Sequence, residues 1–75
     1  MADRTLDTKG LACPLPILKT KKAMSELPVG ATLEVWATDP GSVADFQAFS
    51  AATGDTLLEH SEQGGVYRFL LRRSA

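Results

Sequence analysis

The chain has 75 residues, which suffices for one domain that buries only roughly 60% of the surface its unfolded form exposes, so a deep enclosed active site is not expected. Hydrophobic residues at 44% and charged residues at 23% exclude global disorder. A net charge of −1 removes the pull on which non-specific nucleic-acid binding relies, while leaving room for a local basic face.

Taken in chain order, Arg4 to Lys9 reads as a modest first strand with Leu6 its one large apolar residue, and Gly10 as the turn after it. Pro14 to Leu27 reads as a helix stopped by Pro28 and Gly30, because the residue before a proline is pushed out of the helical region. Ala31 to Thr38 alternates, with Leu33, Val35 and Ala37 on one face and Thr32, Glu34, Trp36 and Thr38 on the other, the period of a half-buried strand. Asp39-Pro40-Gly41 is a turn. Ser42 is then expected as the N-cap of a second helix, with Asp45 at N3 in a relative of the capping box. That helix runs to about Thr53, Gly54 ends it, and Val43, Phe46, Phe49 and Ser50 share one side. Asp55 to Glu62 and Val66 to Arg73 are strands joined at Gln63-Gly64-Gly65. The order β-α-β-α-β-β, with one apolar stripe per helix, predicts an α+β two-layer sandwich in which two helices pack on one face of a four-stranded mixed sheet.

On helix one, Ile17, Thr20, Ala23, Met24 and Leu27 form the stripe assigned to the sheet. Leu15 and Leu18 fall opposite, beside Lys19 and Lys22 and close to Cys13. Two readings fit: exposed leucines of the ordinary kind, or a greasy, basic docking patch around the thiol.

One cysteine and one histidine exclude an intramolecular disulfide, a Cys-x-x-Cys redox pair and a cysteine-built zinc site. A metal centre would need carboxylates, and none cluster along the sequence, so neither metal nor cofactor is expected. Cys13-Pro14-Leu15-Pro16 is the most informative stretch. With Cys13 as N-cap, Pro14 falls at N1 and Pro16 at N3, both tolerated in a first turn. The sulfur would accept from the Leu15 N–H, and two rings would stiffen its mount. A helix N-terminus lowers a thiol pKa by less than one unit, so a modest enrichment of thiolate is expected. Lys22 lies roughly 13 Å along the axis, beyond the ~8 Å screening length, so the lysines steer an acidic partner rather than activate sulfur. A thiol with no second cysteine cannot resolve its own disulfide, but it can accept a group and pass it on. The bland alternative makes Cys13 a small buried hydrophobe.

His60 is the one candidate base for a Cys/His hydrolase; the alternative is a sheet-face histidine. Trp36 is expected to pack on the open sheet face rather than serve as a ligand platform. Arg68, Arg72 and Arg73 beside Tyr67 suggest RNA contact or solvated strand ends, and near-neutral charge favours the latter. Asp39 caps its turn and stands near the entrance to helix one. The polar start of the chain and the absence of an apolar run of roughly 20 residues predict a cytoplasmic protein without a membrane partner.

Cys13-Pro14-Leu15-Pro16, preceded by Leu6-Asp7 and Gly10-Leu11-Ala12, resembles the CPxP signature of the TusA family of sulfur carriers, also called SirA-like. The resemblance continues through Lys19 to Leu27, Asp39-Pro40, Phe46 and Tyr67-Arg68-Phe69, and so covers nearly the whole of residues 1–75 as one carrier domain. It implies a two-layer sandwich and a cysteine, Cys13, that accepts sulfane sulfur as a persulfide, with Pro14 and Pro16 framing it. The implied partners are a cysteine desulfurase or rhodanese-type donor and a thiol-bearing acceptor protein; the patch of Leu15, Leu18, Lys19 and Lys22 read from the helix is the surface expected to meet them. Such a protein is a sulfurtransferase-type carrier without independent turnover, in tRNA thiolation, molybdenum-cofactor synthesis or sulfur oxidation. Leu15 stands where tRNA-thiolation members commonly have Glu, which tilts the expectation toward sulfur metabolism or a general relay. The rival reading is a regulatory interaction module whose cysteine is inert.

Overall fold

Alternation in β2 (Thr32–Ala37) sets the centre of the sheet: Leu33, Val35 and Ala37 are fully buried, and Thr32, Glu34 and Trp36 are half-buried on the opposite face. The computed structural model describes residues 2–74. β1 (Arg4–Asp7) lies parallel to β2, and β4 (Val66–Arg72) lies antiparallel on its other side. β3 (Thr56–Gln63) pairs with β4 at the far edge, giving the order β1-β2-β4-β3. The parallel pair requires a crossover, which α1 (Leu15–Ser25) supplies. α2 (Ser42–Thr53) joins β2 to β3. Both helices cover one sheet face, so the expected two-layer α+β sandwich is the fold that forms.

The core is built where those layers meet. Thr20, Ala23 and Met24 of α1 are buried, with Ile17 and Leu27 packed beside them, as the predicted stripe requires. Phe46 of α2 stacks on Phe69 of β4 at 4.2 Å between ring centroids, and Phe49 meets Phe46 edge-on at 6.5 Å.

The element ends differ from expectation for local reasons. Cys13 does not cap α1: Pro14 occupies the cap position, Leu15 and Pro16 follow as the first two helical residues, and Leu15 N–H donates to Ala12 O at 2.9 Å. The Cys13–Pro14 peptide is cis. A backbone turn over residues 12–15 thus takes the donor that the sulfur was expected to engage. Likewise Gly41, not Ser42, precedes α2, and Asp45 N–H donates to Gly41 O. Ser42 packs inside at 2% exposure instead of capping. α1 stops at Ser25, and the Arg73 guanidinium donates to the carbonyls of Met24, Ser25 and Leu27 at and just past the helix end, Met24 O also accepting from Leu27 N–H. The hairpin turns on Gly64 and Gly65 alone, with φ of +59° and +82°, so Gln63 ends β3 rather than starting the turn.

On the open sheet face, Trp36 lies under Lys9 Nζ at 5.0 Å and donates its ring N–H to Glu34. Arg68 pairs with Glu34 at 3.2 Å and Glu59 at 3.0 Å. Arg68 and Arg73 are therefore occupied by protein groups, in keeping with the structural reading of the terminal strand. His60 is exposed on β3, its ring 6.2 Å from Phe69.

Candidate functional site

Parallel pairing decides which loops meet. β1 and β2 end at the same edge of the sheet, so the segment leading into α1 and the turn leading into α2 are neighbours. Thr8 fastens them by donating both its N–H (2.8 Å) and its hydroxyl (2.6 Å) to Trp36 O, and Gly10 N–H donates to Thr38 Oγ1 at 2.9 Å. Cys13, at the end of the first segment, is thereby brought to Asp39 in the second and Asp45 in the first turn of α2. The Cys13 Sγ and one carboxylate oxygen from each aspartate lie within 4.8 Å of one another. Asp39 is further fixed by accepting from Gly41 N–H at 3.1 Å.

The thiol is free and exposed, which disposes of the buried-hydrophobe reading. Its acidity runs opposite to expectation. A hydrogen bond to the Asp45 carboxylate pushes the Cys13 thiol above its ordinary pKa, with partial desolvation and the charges of Asp45 and Asp39 adding to it. The helix end, worth under one unit, loses to two carboxylates that tertiary structure places beside the sulfur. The two aspartates and the thiol do make an acidic cluster that no sequence run announces. As a donor set it mixes one soft atom with two hard ones at an open surface, matching neither a tetrahedral N/S shell nor an oxygen cage.

From Cys13 and Asp45 a groove runs between the helices, with a volume of about 440 Å³. Cys13 and Pro14 lie at its α1 end, Ile17, Leu18 and Lys21 form one wall, and Asp45, Ala48, Phe49 and Ala52 form the other. The spacing of 45, 48, 49 and 52 places these α2 residues on one helical stripe, and the two alanines leave the cleft open. Pro16, by contrast, is buried against the fold.

Of the predicted docking residues, Leu18 lines the groove and is 55% exposed, and Leu15 is 45% exposed beside it. Lys19 and Lys22 do not join them. They line a separate depression with Arg4, Leu6 and Glu26 on the β1 side of α1, so the expected basic rim around the thiol is not formed by these two residues. Lys21 is the groove's lysine instead. Sequence reasoning singles out Asp45 only as a capping residue and leaves Lys21, Ala48 and Ala52 unmarked; the β-α-β-α order is the available signal, since loops after two parallel neighbours share one edge.

Comparisons with known proteins point to one family. A family model described as sulfurtransferase TusA matches residues 4–73. The sulfur carrier protein TusA of Allochromatium vinosum is 51% identical over 72 residues, covering 96% of this chain and 95% of the relative. The sulfur carrier protein TusA of Pseudomonas entomophila is 40% identical over 73 residues, covering 97% and 91%. The crystal structure of a SirA-like protein from Desulfitobacterium hafniense superposes with a TM-score of 0.84 at 27% identity, covering 96% and 99% of the two chains. With its family model matched from β1 to the end of β4, the chain belongs to the TusA sulfurtransferase family.

Proposed function

We propose that this chain is a single-domain sulfur carrier that takes up sulfane sulfur as a persulfide on Cys13 and hands it to the thiol of an acceptor protein. The observation that carries the reading is one exposed sulfur on a proline-stiffened mount at the end of an open apolar groove. Its ionisable neighbours are Asp45 and Asp39, not His60, so a Cys/His hydrolase lacks support. The relatives named as sulfur carriers favour the same role.

The chemistry balances without oxidant or reductant. The Cys13 thiolate attacks the outer sulfur of a donor R–S–SH, the donor S–S bond breaks, and R–S⁻ leaves with the electron pair while Cys13–S–SH forms. An acceptor thiolate then attacks that outer sulfur, and Cys13 departs as thiolate. The protein supplies a fixed sulfur and a docking face. Pro14 and Pro16 hold the segment, Leu15 and Leu18 give apolar contact to a cysteine desulfurase or rhodanese-type donor, and Lys19 and Lys22 on the β1 flank steer acidic parts of a partner that lie beyond the groove. Neither cofactor nor nucleic acid takes part in this scheme, which runs in the cytoplasm. Among the described residues no helix is long and apolar enough to cross a membrane.

Cyanolysis tests the scheme. After exposure to a persulfide donor and removal of excess, wild type is expected to yield one thiocyanate per chain and Cys13→Ser none. Equal yields from the two proteins would place the sulfur elsewhere and end the proposal.

A further inference from the structure

The thiolate is the attacking form, yet the fold surrounds Cys13 with groups that oppose its ionisation. Asp45 reaches it from the first turn of α2 and Asp39 from the turn after β2, both half-buried and both within 4.8 Å of the sulfur through one carboxylate oxygen. Ionisation would set a third negative charge beside the two carboxylates, and Asp45 opposes it more strongly than Asp39. Little opposes this. Lys21, the other charged residue of the groove, is six residues past the helix start, about 9 Å along the axis and comparable to the ~8 Å screening length. Lys19 and Lys22 face the β1 flank with Arg4 and Glu26. The amide end of α1 adds a weak positive influence.

We propose that Asp45 is a gating residue for Cys13: it keeps the sulfur of the unpartnered protein as a neutral thiol, and the thiolate is released when a cationic side chain of the donor covers the Asp39–Asp45 pair. On release the S–H proton passes to solvent and the electron pair stays on Sγ. The inference rests on the persulfide-carrier reading and adds how that site is regulated. Its physical advantage is selectivity. A neutral thiol resists stray electrophiles and oxidants, whereas a basic partner surface both docks by charge and lowers the energy of the anion it is about to use. The pair also predicts the donor's chemistry at the contact: Arg or Lys within reach of two carboxylates, and Arg the better fit because its fork bridges them.

The test is the rate of alkylation by iodoacetamide, a neutral probe, followed by intact mass from about pH 6 to about pH 10.5, a range that brackets thiol ionisation. Wild type, Asp45→Asn, Asp39→Asn and Asp45→Glu are compared, each checked for native circular dichroism. Asp45→Asn is expected to move the inflection to lower pH and raise the rate at neutral pH by about three- to tenfold, where tenfold corresponds to one pKa unit. The high-pH plateau should not change. Asp39→Asn shifts it less, and Asp45→Glu retains the wild-type profile. A tri-arginine peptide should accelerate wild type and leave Asp45→Asn unaffected. An unchanged or raised inflection in folded Asp45→Asn overturns the gate; equal acceleration of both proteins by the peptide, or none in wild type, overturns release by a cation. Persulfide loading at about pH 10, where both proteins hold thiolate, is scored separately. Failure of both proteins to load there contradicts the carrier reading alone, because the alkylation profiles do not depend on it.

Discussion

Phe46 is the residue on which the site's geometry most depends, since it anchors the helix that presents Asp45 and one wall of the groove. It is fully buried, stacked on Phe69 at 4.2 Å and met edge-on by Phe49 at 6.5 Å. Truncation of a buried phenylalanine to alanine costs about 3–5 kcal/mol, within which the ring–ring contacts account for about 0.5–1.5 kcal/mol each. A chain of 75 residues has a total stability of about 4–11 kcal/mol, so Phe46→Ala removes about a quarter of it at least and unfolds the protein at the low end. Phe49 is 8% exposed and borders the groove, where neighbours can relax into the space, so Phe49→Ala falls at or below the lower figure. Equilibrium urea unfolding reads both, followed by the single tryptophan, Trp36, whose ring lies on the opposite face of the sheet from the substitution. A Phe46→Ala penalty under about 1 kcal/mol with an unchanged m-value, or a larger penalty for Phe49→Ala, would refute the placement of the core.

Other perturbations follow from the same contacts. Arg73→Ala removes the guanidinium donor shared by the Met24, Ser25 and Leu27 carbonyls, leaving Met24 O its Leu27 N–H, and should lower stability by about 1–2 kcal/mol in urea, with Arg73→Lys intermediate. Gly65→Ala forces a side chain into a φ of +82° and should cost about 1 kcal/mol, whereas Gly64→Asn at +59° should be nearly neutral, because Asn tolerates that region in a hairpin turn. Glu34 is held below the usual carboxylate range by the Trp36 ring N–H and by Arg68. A depressed carboxylate contributes stability that is present above its unfolded pKa and lost as pH falls through the folded value. Glu34→Gln should therefore lower stability at neutral pH and flatten its decline on acidification, read as midpoint against pH.

The sheet was legible because its signals are local. The strict alternation of Leu33, Val35 and Ala37 announces both the strand and its buried face, and the Gly64-Gly65 pair announces the hairpin. The α1 stripe was equally plain. Cys13 stood out because two prolines and an unpaired thiol coincide in four residues. What was not legible depends on tertiary placement. Lys19 and Lys22 were grouped with the thiol by sequence proximity, but the helix turns them toward Arg4 and Leu6. Asp45 was read as a capping group of its own helix, whereas Gly41 takes the cap and Asp45 faces the sulfur, 32 residues earlier in the chain. The direction of the Cys13 acidity followed that error: a helix end viewed alone lowers a thiol pKa, and the aspartates that reverse it arrive only through parallel pairing of β1 with β2.

The most direct test of the account is intact-mass spectrometry of wild type and Cys13→Ser after incubation with a persulfide donor, with and without later reductant. Wild type alone should gain one sulfur mass and lose it on reduction, with the adduct mapping to the peptide that contains Cys13. The absence of any gain across several donors, or an equal gain on Cys13→Ser, would contradict the claim that this thiol carries sulfur.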